Sequence, residues 1–242
     1  MGGIRMPSDL PLDHEGMYQL LADEILHFRR KPGERISEND LCRRFGLSRT
    51  PVRALLQRLQ ENGLVQIVPR KGSLVTRLDL SLINQLIYER VAVETMVLRD
   101  FILAANPTDV ERVRYLYDQM KEAAAAYRTP GFDMDRFFQA DFSMHHEWFR
   151  RMNLEALWIR LSNPHSSYTR FCALDIMEGE NVPSVMEEHG EMLRMIQERE
   201  TGGIEALLRR HLYGGITRLG SRIYTTYAPF FEPFGGDAHG EN

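Results

Sequence analysis

LCRRFGLSRTPVRALL, residues 41–56, is the stretch that decides the fold of the first part of this chain. Apolar residues recur every three or four positions on both sides of Gly46, which is the spacing of two amphipathic helices. Ser48 is a favourable N-cap for the second helix, and Pro51 stands in its first turn, where no intrahelical N–H is needed. The stretch therefore predicts two helices joined by a tight turn.

The flanking sequence predicts a further helix and a β-hairpin. Upstream, apolar residues at helical spacing over 14–28 predict a helix that ends at Lys31-Pro32-Gly33. Downstream, Asn62-Gly63 ends the last helix, and two alternating runs, 64–68 and 73–77, flank a turn. Three helices followed by a hairpin predict a winged helix-turn-helix domain, which we place at residues 10–78.

A helix that enters the DNA major groove needs an apolar face for its own core and a polar face for bases and phosphates. The helix after Ser48 has both, because its leucines lie on one side and two arginines on the other. Hydroxyl groups at its start suit phosphate oxygens, and two cations followed by a glycine at the hairpin tip suit the minor groove. The predicted DNA-binding residues are Ser48, Arg49, Thr50, Arg53, Arg70, Lys71 and Gly72. A solvated helix face is the alternative for the two arginines.

The charge distribution indicates a polyanionic partner for this first part alone. The chain has a formal net charge of −4. Residues 29–77 contain 12 Lys and Arg against 4 Asp and Glu, whereas residues 78–242 contain 17 against 25. A basic module joined to an acidic one favours nucleic acid as the partner of the first. Two solvated surfaces of different charge are the alternative.

The chain after Leu78 has helical patterning and no strand signal. Proline, glycine and asparagine breaks divide it into predicted helices at about 79–104, 107–128, 133–152, 154–176, 181–199 and 202–226. We therefore predict a mostly α protein, in which an all-helical bundle at 79–227 follows the winged helix-turn-helix. The tail at 228–242 is rich in proline and glycine and is predicted to be flexible.

Four polar residues of the predicted bundle have the chemistry of a metal site. Asp141 and His145 are four residues apart, so they lie on one face of a helix. His189 and His211 lie on the last two predicted helices, which would bring them to one level if they run antiparallel. One aspartate and three histidines suit Zn²⁺, Ni²⁺ or another divalent metal with open coordination positions. Taken singly, each histidine is more often a structural or surface residue than a ligand.

The motifs of the first part resemble those of GntR-type bacterial transcription regulators. They are PGERISENDL (32–41), FGLSRTPVR (45–53), LQENGL (59–64) and RKGSLV (70–75). The resemblance implies that Arg49 and Arg53 contact DNA and that the wing carries Gly72. In a well-studied member of the family an arginine of the second helix also contacts DNA, and Asn39 holds the matching position here.

The second part resembles the FCD ligand-binding domain, which follows this winged helix in FadR-type regulators. DFSMH (141–145), EHG (188–190) and HL (211–212) carry the resemblance, which covers about 79–226. It implies a metal site formed by Asp141, His145, His189 and His211, and we expect Zn²⁺ ahead of Ni²⁺. Six predicted helices point to the shorter, VanR-like branch rather than to the seven-helix FadR branch.

Two residues are candidates for binding an effector, which we expect to be a small organic acid. Arg90 matches an arginine that is common in the first helix of this domain, and in the cavity its guanidinium would clamp a carboxylate. An intrahelical pair with Glu94 is the alternative. Asn163, on the fourth predicted helix of the bundle, is the second candidate, and an exposed position is its alternative.

These features favour a ligand-controlled transcriptional regulator, specifically a repressor. A homodimer would place two recognition helices in successive major grooves of a palindromic double-stranded DNA site, and an acid bound at the metal would change DNA affinity. One alternative is a metal-dependent hydrolase, which needs a general base that no motif supplies. The other is a constitutive DNA binder with a structural metal. We predict no enzymatic activity and no catalytic residues.

The remaining features favour a cytoplasmic protein without a membrane partner. Cys42 and Cys172 are far apart in sequence, which argues against a disulfide framework. The N-terminus lacks the apolar segment of a signal peptide, and no apolar run approaches the roughly 18 residues of a membrane helix.

Overall fold

The computed structural model describes residues 13–68, 70, 72–162, 167–178 and 181–233. They form two compact units. The first runs up to Leu78 and also includes the chain from Pro229 onward, and the second is Asp79–Ala228.

The first unit is a winged helix-turn-helix, as predicted. Its elements are α1 (His14–Leu26), β1 (Arg35–Ile36), α2 (Glu38–Phe45), α3 (Arg49–Glu61), β2 (Val65–Val68) and β3 (Gly72–Val75). β3 lies between the other two strands and is antiparallel to both. Strand β1 was not predicted, because two residues are too few to show an alternating pattern.

Local sequence explains the bounds of α2 and the orientation of α3. The Ser37 hydroxyl accepts a hydrogen bond from the Asp40 backbone N–H at 3.2 Å, and Gly46 ends α2 with a φ of 66°, which glycine adopts at little cost. The side of α3 that packs in the core of the unit consists of Val52, Leu55, Leu56 and Leu59. Because this side is buried, the other side of α3 faces solvent.

The chain returns to the first unit after Ala228, which differs from the flexible tail predicted for 228–242. The Leu78 N–H donates to the Phe230 carbonyl, and the Glu232 N–H donates to the Leu78 carbonyl, each at 2.9 Å. The Phe230 ring stacks on Phe28 with centroids 5.7 Å apart, and Phe231 is buried. Burial of aromatic surface outweighs the preference of proline and glycine for a loose chain. The prediction is therefore wrong for the described part of the tail.

We expect Phe231→Ala to lower the free energy of unfolding by about 3 kcal/mol, because truncation of a buried phenylalanine loses its transfer free energy and leaves a cavity. Urea denaturation of the full chain measures this loss. The control is Glu232→Ala, since the Glu232 side chain is exposed and only its backbone pairs with Leu78. Equal unfolding midpoints for the two variants would contradict a stabilising role for the tail.

The second unit is entirely helical in its described residues. Its helices are α4 (Leu80–Ala104), α5 (Pro107–Ala124), α6 (Met134–Arg151), α7 (Glu155–Leu161), α8 (Ser167–Glu178), α9 (Val182–Glu198) and α10 (Ile204–Leu219), followed by a 3-10 turn at Gly220–Tyr224. The largest apolar core of the unit includes Leu98, Phe101, Trp148, Met192 and Leu208. The mostly α fold class is confirmed. None of the helices in the described ranges combines the length and apolar composition of a membrane span.

The helix predicted at 154–176 is two helices, α7 and α8, so the described residues of this unit hold seven α-helices rather than six. The predicted helix ran through Pro164, although proline lacks an N–H and disfavours the helical conformation in the residue before it. The helix count therefore does not support the six-helix, VanR-like assignment. The last predicted helix also ends early, since Gly220 leaves the helical region with φ 51° and ψ −132°.

Candidate DNA interface and candidate metal centre

Helix α3 presents the predicted DNA-reading side chains to solvent. Arg49, Thr50 and Arg53 are all exposed. Ser48 is exposed at the N-cap, and its hydroxyl makes no capping hydrogen bond to α3. The first backbone N–H groups of α3 therefore lack a side-chain cap, which suits the binding of a phosphate at a helix N-terminus.

Two residues of α2 contact these arginines. Arg53 Nε lies 3.1 Å from a carboxylate oxygen of Glu38, and Arg49 donates to Asn39 Oδ1 at 3.3 Å. Asn39, which holds the position of the additional arginine of one family member, thus contacts Arg49. An exposed ion pair contributes at most about 1 kcal/mol, whereas a bidentate contact to a base contributes about 1–3 kcal/mol. Exchange of the Glu38 contact for a base contact is therefore favourable.

Strands β2 and β3 form the wing and pair Val68 with Gly72 near its tip. Arg70 is exposed there, and Gly72 has a φ of 93°, which favours glycine. A Cβ on Gly72 would lie 3.4 Å from Arg35 Nε, so Arg35 adds a cation beside the wing that the sequence patterns did not single out. Lys71 lies outside the described residues.

The four predicted metal ligands come together, although they lie on three helices. Asp141 and His145 lie on α6, His189 on α9 and His211 on α10. Each offers one ligand atom, and these atoms all lie within 4.8 Å of one another. His189 Nε2 lies 3.1 Å from both Asp141 Oδ1 and His145 Nε2. We refer to these four residues as the Asp-His cluster.

Each imidazole of the Asp-His cluster is oriented through its other nitrogen. His145 Nδ1 is hydrogen-bonded to Glu94 Oε2 at 2.6 Å. His189 Nδ1 is hydrogen-bonded to the Val185 carbonyl and His211 Nδ1 to Glu188 Oε2, each at 2.8 Å. A carbonyl or an ionised carboxylate only accepts, so these contacts place the proton on Nδ1 and direct an Nε2 lone pair into the cluster.

A divalent cation fits this arrangement. Nε2 lone pairs of His145 and His189 that face each other at 3.1 Å repel unless a proton or a cation lies between them. Adjacent ligand atoms bound at about 2.0–2.2 Å to a metal ion are about 3 Å apart in octahedral coordination, which agrees with the two 3.1 Å distances at His189 and leaves positions open for a further ligand. The donor set of the cluster is therefore that of a metal centre.

The local charges keep Asp141 and His211 in the protonation states that metal ligation requires, whereas a bound cation would displace a proton from His189. Burial lowers the pKa of His189, but its hydrogen bond with Asp141 and the charge of that carboxylate raise it. Burial raises the pKa of Asp141, but the hydrogen bond and charge of His189 lower it well below its usual range. Burial also raises the pKa of Glu94, but Arg90 and His145 lower it to about 2. Burial lowers the pKa of His211 to about 4, despite its hydrogen bond with Glu188. At neutral pH both carboxylates are ionised and His211 is neutral.

Arg90 forms the ion pair with Glu94 within α4, which was one of the two roles considered for it. Its Nε donates to Glu94 Oε1 at 2.5 Å, and both side chains are buried. Because Glu94 also bonds His145, Arg90 is connected to the Asp-His cluster through that carboxylate. Its Nη2 is buried and has no hydrogen-bond partner among the described residues. Asn163, the other predicted effector-binding residue, lies outside the described residues.

A small pocket, with a cavity volume of about 50 Å³, borders the Asp-His cluster. Asp141 and His211 form part of its wall. A second polar group on the wall, which we call the Asn-Asp-Arg group, consists of Asp175, Asn181 and Arg218, and most of the remaining lining is apolar. A mostly apolar pocket with a few polar anchors is the usual form of a small-molecule site.

Sequence reasoning missed the two carboxylates that hold the imidazoles. Glu94 was considered only as a partner of Arg90, yet it bonds His145 across 51 positions of the chain. Glu188 adjoins His189 but bonds His211, 23 positions away. A glutamate next to a predicted metal-binding histidine was the one available signal, and it does not say which imidazole the glutamate contacts.

We expect Glu188→Gln to weaken Zn²⁺ binding by about tenfold or more, because a carboxylate that accepts from Nδ1 makes the imidazole a stronger ligand. Competition with a zinc-binding dye measures the affinity of the full chain. Glu187→Gln is the matched control, since Glu187 is the neighbouring glutamate and is exposed. Equal zinc affinities of the two variants would refute a role for Glu188 in ligation.

Comparison with known proteins divides the chain in the same way. Residues 14–75 match the profile of bacterial regulatory proteins of the gntR family, and residues 85–214 match the FCD domain. The HTH-type transcriptional repressor RspR of Escherichia coli K12 is 25% identical over 199 residues, covering 82% of this chain and 85% of RspR. A GntR transcriptional regulator from Rhodococcus sp. RHA1 has the same fold, with a TM-score of 0.64 and 22% identity over 86% of this chain and 97% of its own. E. coli McbR/YncC has a TM-score of 0.62 and 17% identity, over 88% and 98%.

The fold and the sequence matches define a transcription regulator that binds DNA through a winged helix-turn-helix and carries a second, helical domain. The chain belongs to the GntR family of bacterial regulatory proteins, and its second domain is an FCD domain. These families and the relatives are transcription regulators and not enzymes. In the described residues, Glu94 and Glu188 are each bonded to an imidazole, so neither serves as a free general base beside the Asp-His cluster.

Proposed function

We propose that the protein is a repressor whose affinity for a palindromic operator is set by a small carboxylic acid bound at a divalent metal ion in the helical unit. The observation that carries this proposal is the Asp-His cluster on the wall of a pocket. Zn²⁺ suits three imidazoles and one carboxylate, and Ni²⁺ is the alternative. The carboxylate of an acid in the pocket is a suitable donor for an open position on such an ion.

The DNA contacts that we propose use both parts of the winged helix. The start of α3 enters the major groove, where Arg49 and Arg53 contact base edges and the hydroxyls of Ser48 and Thr50 donate to phosphates. The wing tip at 70–72 enters the adjacent minor groove. The exposure of the described members of this set supports the assignment.

An exposed apolar stripe on α4 supports a homodimer. Tyr88, Met96 and Leu103 are 65%, 57% and 64% exposed, and their spacing of eight and seven residues puts them on one side of the helix. Large apolar side chains in such a stripe are typical of a surface covered by a partner. A second copy of this chain is the partner we propose, because a palindrome presents two equivalent half-sites. Light scattering of the purified protein tests this assignment.

An acid alters DNA binding only if it binds two arrangements of the protein with different affinities. Coupling between two sites commonly changes an affinity by about fivefold or more. We therefore expect at least one short carboxylic acid to weaken operator binding by about fivefold or more when the zinc-loaded protein is titrated. Fluorescence anisotropy of a labelled operator measures the change.

The same titration separates the alternatives. Chelation of the metal should abolish the response to the acid. An operator affinity that no acid changes, in a protein whose melting temperature falls on chelation, would identify a constitutive DNA binder with a structural metal. A melting temperature that does not respond to chelation would contradict the metal centre.

A further inference from the structure

We infer that the effector is a short acid with a hydroxyl group at the end away from its carboxylate, and that Asn181 accepts a hydrogen bond from this hydroxyl. The inference rests on the proposed function, because it concerns the other end of the same ligand. It comes from the Asn-Asp-Arg group, which shares the pocket wall with Asp141 and His211.

The side-chain oxygen of Asn181 accepts no hydrogen bond from the described residues. Its Nδ2 donates to Asp175 Oδ2 at 2.8 Å, which determines the orientation of the amide because the reverse orientation would bring two oxygens together. Its Oδ1 has no hydrogen-bond partner among the described residues, although Asn181 is only 5% exposed. Asn181 is the N-cap of α9, yet its side chain makes no capping hydrogen bond. A buried acceptor is unfavourable without a donor, and a bound ligand with a donor removes this cost.

The neighbours of Asn181 determine the charge of that donor. Arg218 Nη2 lies 2.7 Å from Asp175 Oδ2, and Arg218 Nε lies 3.2 Å from both Asp175 oxygens. The guanidinium balances the carboxylate, so an ammonium group meets no net negative charge. A second carboxylate on the ligand would face two acceptors, Asn181 Oδ1 and the Asp175 carboxylate. A hydroxyl is neutral and donates, so it satisfies both conditions.

Two adjacent glycines provide the space for the Asn-Asp-Arg group. A Cβ on Gly214 would lie 2.6 Å from Arg218 Nη1, and a Cβ on Gly215 would lie 2.8 Å from the Phe171 ring and 3.2 Å from Asp175 Oδ2. The guanidinium of Arg218 therefore packs against its own helix at Gly214, and Asp175 and Phe171 approach that helix closely at Gly215. The group is assembled from α8, the start of α9 and α10, rather than from one exposed helix face.

The test uses three sets of short straight-chain acids. One set ends in a hydroxyl group, the second has a methyl group in place of that hydroxyl, and the third ends in a second carboxylate. Calorimetric titration of the zinc-loaded full chain measures each affinity. We expect the best hydroxyl acid to bind about tenfold more tightly than its methyl counterpart, and the diacid to bind more weakly. Asn181→Leu should bind the hydroxyl and methyl members of a pair with equal affinity.

Gln139→Leu is the matched control, because Gln139 is an exposed amide on α6 that does not line the pocket, and it should keep the tenfold preference. If Asn181→Leu does not fold, the comparison of acids on the wild-type chain still decides the question. Equal binding of the paired acids, or tighter binding of the diacid, would overturn the inference and leave the proposed function standing. A zinc-loaded chain that binds no acid would overturn the proposed function, and this inference with it.

Discussion

Arg53→Ala is expected to lower operator affinity by between about thirtyfold and about twenty-thousandfold. A bidentate arginine contact to a base contributes about 1–3 kcal/mol, and a dimer on a palindrome loses it twice. The resulting loss of about 2–6 kcal/mol corresponds to that range, since about 1.4 kcal/mol is a factor of ten. Arg49→Ala is expected to fall in the same range, because Arg49 is also exposed at the start of α3. Anisotropy with an operator found by footprinting around the protein's own gene measures the effect.

The control for Arg53→Ala is Arg136→Ala, which removes one exposed positive charge from helix α6 of the helical unit, away from the apolar stripe of α4. It should change operator affinity by less than about threefold, because surface charge alone acts weakly at physiological salt. Arg53→Ala should also lose the preference for operator over unrelated DNA, because base contacts carry the specificity. An Arg53→Ala protein that keeps both affinity and preference would show that α3 is not the recognition helix.

His189→Ala is expected to abolish stoichiometric zinc binding and the rise in melting temperature that zinc produces. His189 Nε2 lies within 3.1 Å of two other members of the Asp-His cluster, so its loss removes the central ligand. Metal at about a thousand times its dissociation constant stabilises a protein by about 4 kcal/mol, which is about 10 °C for a chain of this size. Elemental analysis and thermal denaturation with and without a chelator measure the two effects.

His146→Ala is the matched control on helix α6. His146 Nε2 bonds Glu155 at 2.6 Å, and its ring stacks on Trp158, so it points away from the Asp-His cluster. This variant should keep its zinc and its melting shift. Asp141→Asn is a second ligand variant with little change of shape, which keeps the test valid if His189→Ala does not fold. Zinc retained at full occupancy by Asp141→Asn and His189→Ala would exclude the cluster as the metal site.

Much of the fold follows from local sequence, because helix ends depend on residues within one turn. Ser37 and Gly46 mark α2, and Asn106 starts α5 with a capping box formed with Asp109. Periodicity also showed which face of α3 is buried. The same local reasoning failed where distant packing decided the outcome. It did not predict β1, and it predicted a flexible tail, although Phe230 and Phe231 pack in the first unit.

The Asp-His cluster shows the same division. Its four residues were predicted from an i, i+4 pair, two amphipathic helices and a family resemblance, but no periodicity says how three helices are rotated against one another. The contacts that orient the ligands and shape the pocket join residues far apart in the chain. His145 and Glu94 are 51 positions apart, and Arg218 and Asp175 are 43.

By itself, therefore, the sequence determined a winged helix-turn-helix followed by a helical domain, the arginines of α3 and the ligand types of the Asp-His cluster, because caps, periodicity and motifs are local properties. Only the tertiary structure decided that Glu94 and Glu188 hold the imidazoles and that Arg90 pairs with Glu94. It also decided that Asn181, on the pocket wall, has a side-chain oxygen without a hydrogen-bond donor among the described residues. These features depend on how helices pack, and packing places side chains together without regard to their separation along the chain.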